Sequence, residues 1–166
     1  MPKRGPALFF DCVTLSNFAL AGRLDLLAGR YGRRVTLTTE VLDEIGDGVA
    51  SGHAALREVE HLASVGRFTV TRVAPAEWET YRGLLRTLAP GEASCIACAR
   101  HRHGVVATDD RAARGICSEL GLPLTGTVGI LKACCRDGRL TEEEADAVLA
   151  DMIRAGYYSP VRRLGE

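Results

Sequence analysis

Acidic residues stand where a buried parallel sheet would present them for chemistry. Asp11 directly follows the apolar run Ala7-Leu8-Phe9-Phe10, the pair Asp109-Asp110 comes just after Val105-Val106-Ala107, and Glu92 opens a helix-forming run. Strands buried on both faces read as short apolar runs, and in a parallel sheet the residues that follow them gather on one edge. Helix capping explains any one of these acids alone, since Asp favours the N-cap and Glu complements a helix N-terminus. It does not require that strands far apart in sequence deliver acids to the same edge. Carboxylates crowded there raise one another's pKa, and without basic neighbours they need a hard cation. Mg²⁺ or Mn²⁺ takes oxygen ligands, keeps several waters and can activate one against a phosphodiester.

The elements that must position these acids alternate between strand and helix, which predicts an α/β fold around a mostly parallel sheet. Ala7–Phe10 reads as the first strand, followed by a helix capped by Ser16, running through Leu20, Leu24 and Leu27 and ending near Gly29–Gly32. Val35–Leu37 is a short strand, and Thr39 is expected to cap a helix that Gly46-Asp47-Gly48 stops. A helix over Ala54–Ala63, a strand over Phe68–Val73 and an amphipathic helix carrying Trp78, Tyr81, Leu84, Leu85 and Leu88 come next, with Pro90-Gly91 as a break. Glu92–Arg102 reads as a buried Ala/Cys-rich helix closed by Gly104, before a strand that ends at Thr108. Arg111–Leu120 is helical, Leu122–Leu124 an edge-like strand, and Thr127–Gly138 a helix. The last helix opens on the capping box Thr141-Glu142-Glu143-Glu144 and closes at Gly156.

The chain of 166 residues suits one domain over 1–166, and its 21 Lys and Arg balance 21 Asp and Glu. That balance excludes the global basic field of a strong non-specific nucleic-acid binder, so any such contact must be local. The basic opening Met1-Pro2-Lys3-Arg4 leads into only four apolar residues, too few for a signal peptide or membrane span. A cytoplasmic location with no membrane contact, and reduced thiols for the six cysteines, are therefore expected.

Four segments resemble the PIN-domain family in their order: Phe10-Asp11-Cys12-Val13-Thr14-Leu15, Val41-Leu42-Asp43-Glu44-Ile45, Gly91-Glu92-Ala93-Ser94-Cys95-Ile96-Ala97 and Thr108-Asp109-Asp110-Arg111-Ala112-Ala113-Arg114. Gly121–Leu131 is similar to the segment after the last acidic motif in a PIN-like subgroup of prokaryotic toxin-antitoxin loci, and the likeness spans about Ala7 to Tyr158. The resemblance implies a three-layer sandwich with a central parallel sheet of four to five strands. It also implies a Mg²⁺- or Mn²⁺-dependent ribonuclease that acts as a toxin, with an RNA substrate, a cognate antitoxin and a homodimer. Carried over, the catalytic acids are Asp11, Glu44, Glu92 and Asp110, and the metal ligands are Asp11, Glu92, Asp109 and Asp110. Asp43 beside Glu44, and Asp109 beside Asp110, leave a one-position ambiguity each. Many relatives carry a small polar residue where this chain has Val13, which motivates a rival reading: a PIN fold that binds RNA or protein without cutting. Arg111 and Arg114, one helical turn apart after Asp110, are the candidates for gripping RNA phosphates.

Other constellations point to structure. Cys95-x-x-Cys98 near His101 and His103 invites a zinc or redox reading, yet Glu92 one turn upstream opposes a thiolate and Cys134-Cys135 diverge on a helix. Asp11-x-Val13 lacks the second Asp of a haloacid-dehalogenase-like phosphatase. Gly126-Thr127-Val128-Gly129 lacks the Lys and the spacing of a phosphate loop. Trp78 and Tyr81 are expected in the core or at a subunit interface, and His53 and His61 in solvent.

Overall fold

The computed structural model describes residues 5–166; the basic opening segment lies outside the described residues. Five parallel strands form one sheet in the order β3-β2-β1-β4-β5: β1 (Leu8–Phe10), β2 (Val35–Thr38), β3 (Thr69–Thr71), β4 (Val105–Ala107) and β5 (Leu124–Thr125). β1 pairs with both β2 and β4, so the chain order reverses there, and the C-terminal ends of β1 and β4 flank a crevice. Such a switch point is where an open parallel sheet offers a binding site. The expected α/β fold around a parallel sheet of four to five strands is met, with five strands.

Nine α-helices flank the sheet among the described residues: α1 (Cys12–Leu20), α2 (Leu24–Tyr31), α3 (Thr39–Ala50), α4 (Arg57–Ser64), α5 (Trp78–Leu84), α6 (Pro90–Arg102), α7 (Arg111–Glu119), α8 (Thr127–Arg136) and α9 (Glu142–Arg154). α6 packs over β1, β2 and β4. Its Ala93, Cys95, Ile96, Ala97, Cys98 and Ala99 are all buried, which explains an apolar pattern on every side of the helix. Phe9 and Phe10, on opposite faces of β1, are buried in the same continuous core. No described helix is long and apolar enough to cross a membrane.

Several boundaries differ from the sequence reading. Ser16 is not a cap: its hydroxyl donates back to the Cys12 carbonyl at 2.7 Å, inside a helix that begins four residues earlier and is capped by Asp11. The single helix expected beyond it is two, separated by a turn in which Gly22 takes φ +69°. Thr38, not Thr39, caps α3, accepting the Val41 N–H at 3.2 Å. α3 also runs through Gly46 and Gly48 to Ala50, because Gly48 leaves room for Leu56, whose Cδ1 would lie 2.5 Å from an added Cβ. Pro90-Gly91 is the first turn of α6 rather than a break, Pro being suited to the first helical position. The strand expected over Phe68–Val73 is cut to three residues, and α5 stops at Leu84. β5 starts two residues later than expected and ends one later, with Pro123 using only its carbonyl, which accepts the Val106 N–H at 3.0 Å.

Candidate active site

Asp11 is the first residue past β1, held to the sheet by its N–H donating to the Ala107 carbonyl at 3.1 Å. Its Oδ1 accepts the Thr14 N–H at 2.8 Å, capping α1, and its Oδ2 accepts the Thr108 hydroxyl at 2.5 Å. Capping and site chemistry thus fall on one residue. The side chain is only 2% exposed. Burial pushes its carboxyl up to about 6, against the lowering by the Thr108 and Thr14 hydrogen bonds, and the Asp109 charge raises it further.

Glu44 projects from α3 to the N-terminus of α6. Its Oε1 accepts the Gly91 N–H at 3.0 Å, supplying the acceptor that the α6 cap residue, Ala89, has no side chain to offer. A Cβ on residue 91 would lie 2.4 Å from Glu44 Oε1, so any larger residue there must push the Glu44 carboxylate aside. Burial raises the Glu44 carboxyl, the Gly91 hydrogen bond lowers it, and Asp11 and Asp47 raise it. Asp43 is exposed, so Glu44 is the acid that reaches this edge.

Glu92 lies in the first turn of α6. Burial raises its carboxyl, its own backbone N–H lowers it, and the charges of Asp110 and Glu44 raise it. Its Oε2 is buried without a hydrogen-bond partner. Asp110 caps α7, accepting the Ala113 N–H at 2.9 Å, and stays exposed beside Glu92 in a cavity of about 350 Å³.

The adjacent Asp109 is occupied differently. Its Oδ2 accepts the Thr127 hydroxyl at 2.5 Å and the Thr14 hydroxyl at 3.3 Å, with the Asn17 amide at 3.5 Å. Its Oδ1 accepts the Thr127 N–H at 3.0 Å and the Tyr157 hydroxyl at 3.3 Å. Asp109 thereby ties β4 to α1, α8 and the segment after α9, whereas Asp110 turns to the cleft. Asn17, Thr108, Thr127 and Tyr157 are partners of the acids that the sequence reading does not single out. Only the Asp11–Thr14 spacing carries a local signal, that of a cap; the other partners come together only in the fold.

Asp11, Glu44, Glu92, Asp109 and Asp110 thus border one edge of the sheet and feel one another's charge. None of them is in a salt bridge among the described residues. Yet no three His, Cys, Asp or Glu side chains among the described residues are gathered closely enough to hold one ion. An all-oxygen donor set, an unpartnered buried carboxylate oxygen and the absence of an ion pair to these acids among the described residues fit a hard divalent cation, with Asp11, Glu92 and Asp110 as the groups to hold it.

Arg111 is exposed on the rim of this cavity. Arg114, on the same helix, uses Nη1 on the Thr108 and Thr125 carbonyls at 2.8 and 3.3 Å, bracing β4 against β5. The cysteines are free thiols. Burial pushes Cys98 up to about 12 and Cys95 well up, so neither is a thiolate or a ready ligand. His53 and His61 are exposed, Tyr81 is buried, and Trp78 is exposed rather than in the core.

The sequence finds no match among curated proteins. Among solved structures it is similar to VapBC2 from Rickettsia felis bound to a DNA fragment from their promoter, at 13% identity and a TM-score of 0.49, covering 72% of this chain and 98% of that one. The family model described as DUF3368, PIN domain, matches residues 7–166, and the chain belongs to that PIN-domain family.

Proposed function

We propose that this protein is a metal-dependent endoribonuclease of the PIN type, acting as the toxin of a toxin-antitoxin pair. The observation that carries the reading is the group of five carboxylates at the β1–β4 switch point, with no ion pair among the described residues to neutralise it. Asp11 is the core of it: a nearly buried acid, raised to about 6 by its burial, carries its charge at neutrality at a cost and gains most from a cation beside it. When bound, Mg²⁺ or Mn²⁺ supplies Lewis-acid activation of water and offsets the charge of a phosphodiester.

The chain's own residues do the rest. Thr108 fixes Asp11 Oδ2 and, by accepting the Asp110 N–H at 3.1 Å, sets the turn that presents Asp110. Glu44 is locked to α6, which carries Glu92, so α3 and α6 bring their acids to the cleft together. Arg111 on the rim offers a fork of N–H donors to a phosphate. The toxin role rests on the likeness of Gly121–Leu131 to the toxin-antitoxin subgroup, and with it come a cognate antitoxin and a homodimer as partners and a cytoplasmic setting. The test is cleavage of single-stranded RNA. Activity that requires Mg²⁺ or Mn²⁺ and is lost in Asp11→Asn supports the reading; full activity in that variant refutes it.

A further inference from the structure

The two aspartates after β4 differ in how many lone pairs they have left. A carboxylate has room for about four hydrogen bonds. Asp109 Oδ1 accepts the Thr127 N–H at 3.0 Å and the Tyr157 hydroxyl at 3.3 Å, while Oδ2 accepts the Thr127 hydroxyl at 2.5 Å and the Thr14 hydroxyl at 3.3 Å, so that room is filled. The Asn17 amide in turn donates to the Thr127 hydroxyl oxygen at 3.0 Å. Gly126 leaves the recess in which this carboxylate sits, since a Cβ there would lie 2.5 Å from Asp109 Oδ1. By contrast, Asp110 accepts the Ala113 N–H on Oδ2, and Glu92 Oε2 accepts no hydrogen bond. Yet Asp109 lines the same cavity as those two acids, and its charge raises the Asp11 carboxyl. It stands at the cleft with its oxygens already occupied by the protein.

We infer that the Thr127 and Tyr157 hydroxyls hold Asp109 out of the cation's coordination and thereby set the cleft's preference for Mg²⁺ or Mn²⁺ over Ca²⁺. This rests on the cation site proposed above and adds what selects the ion. Mg²⁺ is small, keeps several of its waters and needs few carboxylates, whereas Ca²⁺ takes about six to eight oxygens and gains with each carboxylate added. With Asp109 withheld, Asp11, Glu92 and Asp110 are few enough to leave the ion its waters. Released, Asp109 brings a fourth carboxylate with free lone pairs to the same cavity, and the larger ion gains most. Thr127 opens α8, and Tyr157 follows Gly156, whose φ of +115° turns the chain after α9. Segments outside the acidic motifs therefore fix the ligand count.

The test is Mn²⁺ binding to the full chain, with free ion followed by EPR and Ca²⁺ as competitor. In Thr127→Val with Tyr157→Phe, the Ca²⁺ concentration that displaces half of the Mn²⁺ should fall roughly tenfold or more. Tyr157→Phe alone keeps the ring and leaves the buried Thr127 untouched, and it should show a smaller shift in the same direction. Thr127→Ser, which keeps the hydroxyl, should show none. Adding Asp109→Asn to the double variant should cancel the gain, which separates release of Asp109 from a loosened fold, because a loosened site loses affinity for both ions. Ca²⁺ that competes no better in either variant than in wild type, or a gain that survives Asp109→Asn, overturns the inference and leaves the cation site standing. Wild type that binds no Mn²⁺ removes the cation reading itself, and this inference with it.

Discussion

Replacing Asp11 by Asn should change how the metal-free protein responds to pH more than how it folds. Asn is as good an N-cap as Asp, so the bond from the Thr14 N–H survives. What disappears is a carboxyl whose folded pKa, about 6, lies above its ordinary 3.8. A group raised in this direction contributes stability below the lower value and loses it as pH climbs through the upper one. At about 1.4 kcal/mol per unit, ionising Asp11 costs the apo protein about 3 kcal/mol in full, of which about 2 kcal/mol is lost between pH 4 and pH 8. For a chain of this size that is roughly 4 to 8 °C in Tm. Loss of the acceptor for the Thr108 hydroxyl offsets the variant by a constant amount, so the slope carries the test rather than the intercept. Urea titrations of both proteins in EDTA across pH 4–8 should show the wild type falling relative to Asp11→Asn, chiefly between pH 4 and 6. Parallel stability curves would refute the account of a buried acid strained by its charge.

Gly91→Ala places a Cβ 2.4 Å from Glu44 Oε1, so the carboxylate must move about 1 Å; cleavage should fall roughly a hundredfold while urea stability barely changes, helix propensity offsetting the lost hydrogen bond. Cys95→Ala with Cys98→Ala should cost roughly 1–3 kcal/mol in lost packing and leave cleavage nearly intact; activity lost and then restored by zinc would overturn the structural role of these thiols. Arg111→Ala should flatten the log-log salt dependence of RNA binding by about 0.7, the share of one phosphate contact on a single strand. Arg114→Ala should in addition lower Tm, because its guanidinium braces the Thr108 and Thr125 carbonyls.

The acids at the ends of β1 and β4 were legible in the sequence because fully buried parallel strands leave short apolar runs that point to their own C-terminal edge. Boundaries were read less well where tertiary contact overrode local preference. Gly46 and Gly48 look like a stop, yet the close approach of Leu56 makes Gly48 a packing residue inside α3. Pro90-Gly91 looks like a break, yet Gly91 is where Glu44 docks. The Asp109-Asp110 pair shows the limit most clearly. Identical in type and adjacent in sequence, the two are separated by partners that include Thr14, Asn17, Thr127 and Tyr157, which take up Asp109 and leave Asp110 facing Glu92. No local pattern encodes those partners.

The central claim is that these carboxylates stand together to hold a hard divalent cation. Titration of Mn²⁺ into the purified protein, with free ion followed by its EPR signal, tests it most directly. The account predicts saturable binding at pH 7.5 that weakens as pH falls below about 6, where Asp11 takes up its proton, and that is lost in Asp11→Asn. Mn²⁺ binding of equal strength in wild type and Asp11→Asn, or none in either, would contradict it.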